Sequence, residues 1–286
     1  MPALQPPHHD SLEAFYKACG VTVHLYDTPQ NRFAEPEPEP EREPEPAARV
    51  AAAAARPSRN RADDAPAPPA APAVHTGEGA ETVDDAREMA RTAPTLETLH
   101  AALKAFDACP LKATARQTCV GEGPLGAALM FVGEAPGRDE DAAGRPFVGR
   151  SGQLLEKMIA AIGLSRGDVY ISNVIPWRPP ANRTPTPIET ATCEVFIRRE
   201  IALVAPKILV PLGGPAAKLL LRTSEGIVRQ RGRWTRYEDA GVDLDALAMF
   251  HPAYLLRTPG EKRRAWQDLL ALRERLESVH GLPAWP

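Results

Sequence analysis

The chain has 286 residues, with 34 Lys and Arg against 37 Asp and Glu and a formal net charge of −3. That length suits one large domain or two small ones. No apolar run approaches the ~18 residues of a membrane-spanning helix, and four scattered cysteines, Cys19, Cys109, Cys119 and Cys193, exclude a disulfide framework.

The N-terminus carries no charged-then-apolar leader pattern, so a cytoplasmic protein is the expectation. Charge is split along the chain. Residues 1–80 hold 12 acids and 7 bases, whereas the remainder holds 25 acids and 27 bases. The part able to fold is therefore slightly basic, which permits an anionic partner without requiring one.

Leu12, Phe15, Tyr16 and Cys19 fall at helical spacing, and residues 11–19 are predicted to form a short amphipathic helix. Two readings stay open for it: docking on its own domain, or service as a tethered peptide for a protein partner. Residues 34–80 are rich in Pro, Ala and Glu, with EPEPEPEREPEP at 35–46 and APAPPAAPA at 65–73. Such a stretch buries little and reads as a disordered linker. The expected organisation is a helical segment over 1–33, the linker over 34–80 and a folded domain over 81–286.

Helical patterning covers about 82–106. Four apolar runs then read as strands: 128–132 (ALMFV), 169–174 (VYISNV), 207–212 (KILVPL) and 247–250 (LAMF). Between them, Ser151 is positioned to cap a helix with Leu154, Leu155, Met158, Ile159 and Ile162 on one stripe and Gly163 as its stop. Thr186–Glu189 (TPIE) is a capping box with Pro at the first helical position. A last helix over 261–279 carries Trp266, Leu269, Leu272 and Leu276. Continuous apolar strands alternating with helices predict an α/β three-layer sandwich: a central four-stranded parallel sheet with helices on both faces.

Ligands bind such sheets at the carboxyl ends of the strands. There the first strand runs into GEAPGRDED (133–141), the second ends on Asn173, the third meets GGP (213–215) and the fourth meets His251. These unusual features share one rim. GEAPG alone is no more than a glycine-bounded turn. Together with GRPFVGRSG (144–152), the NxxxxRPPxNRxP pattern of 173–185 and HPAYLLR (251–257), it resembles the family 4 uracil-DNA glycosylases. The resemblance spans roughly residues 100–275.

It implies a monofunctional hydrolase that removes uracil from DNA and leaves an abasic site. Other deaminated bases, hypoxanthine or xanthine, and a non-catalytic role in binding uracil-containing DNA are the alternatives. A flipped base needs an apolar platform, which Phe147 supplies. Uracil presents an N3–H donor beside an O4 acceptor, and one side-chain amide satisfies both; the resemblance gives this role to Asn173. His251 fits as a donor to the uracil O2, where negative charge builds up. Glu134, Glu140 or Asp141 could position or activate the water, and Glu134 is assigned it; Glu134 matches the family's GEAPG acid, whose main chain, with that of Ala135, contacts the base. Glu140 is expected at the pocket edge, and Asp141 as a solvated turn residue.

For the DNA itself, Arg150, Arg178, Arg183, Arg257 and Lys262 are expected at phosphates. Leu255 or Leu256 would fill the gap left by the flipped base. No lysine follows the motifs where a Schiff-base nucleophile would stand, and the insertion that carries a reactive histidine in DNA-crosslinking relatives is absent, so no covalent step is expected; a monomer is expected.

One departure stands out. The family holds a 4Fe-4S cluster on four cysteines, and motif matching puts those positions at Phe106, Cys109, Trp177 and Cys193. Four thiolates are required and two are present, so no cofactor is expected. Phe106 and Trp177 are read as filling the volume of the cluster. The rival reading makes Trp177 an exposed stacking residue for DNA.

Overall fold

The structure, a computed structural model, describes residues 76–239, 241–278 and 281. The helix expected at 11–19 and most of the expected linker lie outside the described residues. Helical structure starts inside that linker: α1 spans Thr76–Thr92, and α2 follows at Leu96–Ala105. Pro94 lacks an N–H and divides what reads as one helical stretch in the sequence. Thr95 then caps α2, its hydroxyl accepting the Thr98 N–H at 3.3 Å.

The short α3 (Pro110–Thr114) leads to β1 (Leu129–Gly133), α4 (Arg138–Ala143) and α5 (Arg150–Ala160). Gly149, not Ser151, caps α5. Glycine has no side chain for the purpose, so the Glu140 carboxylate accepts the Gly149 N–H at 2.8 Å. After β2 (Tyr170–Asn173), the predicted capping box starts α6 (Pro187–Val204): Thr186 Oγ1 accepts from Glu189 N, and Glu189 Oε2 accepts from Thr186 N at 2.7 Å. Then come β3 (Ile208–Pro211), α7 (Gly214–Leu220), α8 (Ile227–Gln230), β4 (Trp234–Asp239), β5 (Val242–Leu247), α9 (Pro252–Arg257) and α10 (Lys262–Ser278).

The sheet has five strands in the order β2-β1-β3-β5-β4, four parallel and one, β4, antiparallel to β5. The expected α/β sandwich with four parallel strands is present, and β4 adds a fifth strand at its edge. The apolar run 247–250 overlaps β5 only at Leu247, and Met249 beyond it makes an isolated parallel bridge to Leu212. Both differences have one cause. β4 and β5 form a charged edge, where Arg236 bonds Asp243 at 2.8 Å and Asp245 at 2.7 Å, so neither strand looks apolar. Charge on an edge discourages pairing with other chains.

Alternate residues of β1 serve opposite faces. Met130 and Val132 join Leu99, Phe106, Trp177, Phe196 and Ile201 in one core. Leu129 and Phe131 join Leu155, Met158, Ile159, Trp266 and Leu269 in the other. Each fully buried side chain of this size contributes about 1.5–3 kcal/mol, and two cores confirm the three layers.

One buried carboxylate ties a helix to the strand that matters most. Glu200 of α6, 6% exposed, accepts hydrogen bonds from Tyr170 Oη at 2.9 Å, Ser172 Oγ at 2.6 Å and His100 Nε2 at 2.9 Å. Three donors make the buried charge tolerable. They hold β2 in place just before it ends at Asn173.

Candidate active site

The four parallel strands end on one cavity of about 600 Å³, lined among others by Glu134, Phe147, Asn173, Gly213 and His251. In the parallel register Gly133 lies beside Asn173. A Cβ on Gly133 would stand 2.4 Å from Asn173 Oδ1 and 2.7 Å from Phe147 Cζ. The missing side chain is thus the space in which amide and ring meet. Both residues are buried, yet both face the cavity.

Phe147 adopts φ 52, a left-handed conformation that costs a non-glycine residue about 1–3 kcal/mol and needs outside support. The surroundings provide it. Glu140 Oε1 accepts from Val148 N at 3.0 Å and from Gly149 N at 2.8 Å, while Oε2 accepts from Gly137 N at 3.1 Å. One carboxylate therefore staples the GEAPG turn to the GRPFVG loop. Arg166 adds a second hold, donating to the carbonyls of Phe147 at 2.9 Å and Pro146 at 2.6 Å, and it is ion-paired with Glu122. Gly152 is obligatory, because a Cβ there would lie 1.9 Å from the Phe147 carbonyl oxygen.

His251 caps α9: its Nδ1 accepts the Ala253 N–H at 3.1 Å. That bond assigns the proton to Nε2. Burial, helped by the Arg257 charge, pushes the ring's pKa down to about 4, so it is neutral near pH 7 with an N–H to donate. The ring stacks on Phe147 at a centroid distance of 5.5 Å and 30°. Glu134 is half-buried at the cavity wall, and burial raises its pKa above the ordinary carboxylate value. A flat aromatic, an amide, a neutral imidazole N–H and a carboxylate of raised pKa thus surround a space large enough for one planar base.

Residues 120–270 match the family model described as the Uracil DNA glycosylase superfamily. The chain belongs to the uracil DNA glycosylase superfamily. It is 39% identical over 178 residues to the Type-4 uracil-DNA glycosylase of Pyrobaculum aerophilum, covering 61% of this chain and 91% of that protein. To the Type-4 enzyme of Thermotoga maritima it is 39% identical, covering 59% and 87%. For the Type-4 enzyme of Archaeoglobus fulgidus the figures are 42% identity, 58% and 85%. The expected resemblance to this superfamily holds.

Of the residues expected to line the superfamily's base pocket, Glu134, Ala135, Glu140, Phe147, Asn173 and His251 all border the cavity. Glu140 differs from expectation in what it does, since both its oxygens are occupied by backbone N–H groups. Asp141 is corrected too: it is 4% exposed and accepts the Arg116 N–H at 2.8 Å. The expected DNA-facing set fares unevenly. Arg257 lines the cavity and is exposed, and Arg150 is exposed. Leu255 is fully buried in the core, and Lys262 is only 4% exposed, so neither offers its side chain to a duplex. Arg183 lines the cavity but spends its guanidinium on Glu189 at 2.6 and 2.8 Å; Arg178 Nε bonds Asn182 Oδ1 at 2.9 Å. Sequence reasoning missed Arg166 and Glu122, which hold the Phe147 loop, and Ile227, which lines the cavity; no motif signals these three. Thr184 and Tyr254 also line it, and they sit inside quoted motifs without having been singled out for the pocket.

Phe106, Cys109, Trp177 and Cys193 do come together in one core, each at most 3% exposed. Two thiols and two aromatic rings do not fit a four-iron cluster, which takes four thiolates. Among the described residues no group of three or more His, Cys, Asp and Glu gathers to hold a metal. Among them, too, no helix is long and apolar enough to cross a membrane.

Proposed function

We propose that this chain hydrolyses the N-glycosidic bond of uracil in DNA, releasing free uracil and leaving an abasic site for repair. The observation that carries this reading is the convergence of Asn173 and Phe147 over Gly133, with the His251 N–H facing the same space. A flipped uracil stacks on Phe147 while the Asn173 amide accepts from N3–H and donates to O4. Cytosine presents the reverse order and leaves the buried amide mispaired, which is how large discrimination arises.

As the bond between N1 and C1′ lengthens, its electron pair moves into the base and negative charge collects on O2. His251 Nε2–H hydrogen-bonds that oxygen without giving up its proton. Positive charge on the sugar is favoured by the Glu134 carboxylate, which also accepts a proton from the water that attacks C1′. The main chain of Glu134 and Ala135 borders the base, and Glu140 fixes the loop that carries Phe147. Arg257 and Arg150 contact phosphates. With Leu255 in the core, Leu256 is the residue that enters the gap left by the flipped base.

No covalent enzyme–DNA step occurs, and every role above is filled by the chain's own side chains without a cluster. The folded domain acts as a monomer in the cytoplasm, and the segment 1–33 provides a contact for a protein partner at the far end of the linker.

The test is a uracil-containing oligonucleotide incubated with the full chain and then treated with alkali. Wild type yields strand scission at uracil, and Asn173→Ala loses roughly a hundredfold or more in rate. Release of hypoxanthine or xanthine in place of uracil would reassign the substrate. Tight binding of the uracil strand without base release would reduce the protein to a binding module.

A further inference from the structure

Trp177 is 0% exposed, and its ring stacks on Phe106 at 6.4 Å and 24°. Phe106 in turn meets Phe196 of α6 edge-on at 5.4 Å and 63°. The polar atom of the indole is satisfied internally, Nε1–H donating to Thr118 Oγ1 at 3.0 Å. A tryptophan with no exposed face and a satisfied N–H does not stack on DNA bases. Cys109 and Cys193 pack in the same core as free, buried thiols.

What this core supports is one wall of the cavity. Residues 178–185 start directly at Trp177 and return at Thr186 to α6; Pro179, Asn182, Arg183, Thr184 and Pro185 all line the cavity. The arm is under strain, with Ala181 at φ 52 and Asn182 at φ 55. Such backbone persists only when both ends are held. The far end is held by the Arg183–Glu189 ion pair and the Thr186 cap. The near end is held by Trp177.

We infer that Phe106, Trp177 and Phe196 form an aromatic plug that takes over the mechanical work of a metal cluster, positioning the 178–185 wall of the base pocket by apolar packing. The inference rests on the uracil reading of the cavity, and Trp177 is a positioning residue within it. An aromatic ring of this size buries roughly 150–250 Å², with no thiolates, iron or redox chemistry involved.

The full chain is purified anaerobically, incubated with ferrous iron and sulfide, and assayed for iron, acid-labile sulfide and visible absorption. The plug predicts none in stoichiometric amount; one cluster's worth of both would overturn it. Cys109→Ala/Cys193→Ala should excise uracil within about threefold of wild type, since no cluster hangs on the thiols. Loss of activity in a folded double variant counts against the plug. Trp177→Ala should raise KM about tenfold with kcat changed much less, because wall and chemistry are separate, and Trp177→Phe should restore KM. An unchanged KM in folded Trp177→Ala sinks the positioning role. If the alanine variant does not fold, Phe106→Leu carries the same KM test. Absence of uracil release from wild type would defeat the function reading alone, because the iron assay is independent of it.

Discussion

The Asn173 amide and the Phe147 ring meet in the volume that a side chain on Gly133 would occupy. On the proposed reading the ring covers the face of a base and the amide reads its edge, two groups from different segments brought within reach of each other by an absent atom. Gly133→Ala inserts a methyl group 2.4 Å from the amide oxygen. The variant should lose about a hundredfold or more in kcat/KM for uracil release, equivalent to roughly 2.7 kcal/mol. Steady-state excision assays, with circular dichroism to confirm folding, measure this. Wild-type rates in the variant would show that the two groups do not share one ligand.

The pH response should separate the two titrating groups. His251, with its pKa lowered to about 4, stays neutral as pH falls from 7 to 5, so the O2 donor persists. Glu134, whose pKa is raised by burial, protonates above the usual carboxylate range and sets the acid limb of the rate profile. Rate should decline with falling pH in wild type, with no separate inflection near 6.5. Stability follows from the same histidine. Its unfolded form takes up a proton near pH 6.5 whereas the folded form does so only near 4, so wild type loses stability across that window as pH falls. His251→Asn removes that proton uptake, and the fall in Tm between pH 7 and 4.5 should be smaller in the variant.

Arg166 supports a strained phenylalanine from 19 residues away. Arg166→Ala releases the Phe147 and Pro146 carbonyls and leaves half-buried Glu122 without that partner. We expect a stability loss of about 1–3 kcal/mol and a raised KM as the ring loses its fixed pose. Denaturant melts and excision kinetics report the two effects separately. Arg166→Lys should recover little, because a single ammonium cannot span both carbonyls and the carboxylate.

The adjacent leucines of α9 should give opposite results. Leu255 is in the core, so Leu255→Ala is expected to cost about 2–5 kcal/mol of stability. Leu256 is half-buried at the edge of the same core, and Leu256→Ala should lower Tm much less than Leu255→Ala while slowing excision from double strands more than from single strands. Duplex and single-strand substrates assayed side by side decide it.

Much of the fold was legible because buried parallel strands are continuous in apolar residues, as in Leu129–Val132 and Ile208–Val210. The edge was not. Trp234–Asp239 meets solvent and carries its charges outward, so its composition resembles a loop. The rim residues Glu134, Phe147, Asn173 and His251 were legible because strand ends concentrate ligands, and their motifs fall in chain order at those ends. What composition cannot resolve is which member of a similar pair turns inward. Leu255 and Leu256 are identical in type, yet only Leu255 is in the core, and Asp141, expected at a solvated turn, is buried by its bond to the Arg116 N–H. The Arg166–Glu122 hold joins residues 44 apart, a separation that local pattern does not register.

The capping role of His251 reaches beyond the histidine itself. Because Nδ1 is bound to the first turn of α9, the imidazole cannot rotate end over end without abandoning a backbone amide. A ring turned the wrong way would put Cε1–H where Nε2–H points and strip the Ala253 N–H of its acceptor in the same motion. Correct proton placement is thereby inherited from ordinary helix formation, and any misplacement announces itself as local unfolding.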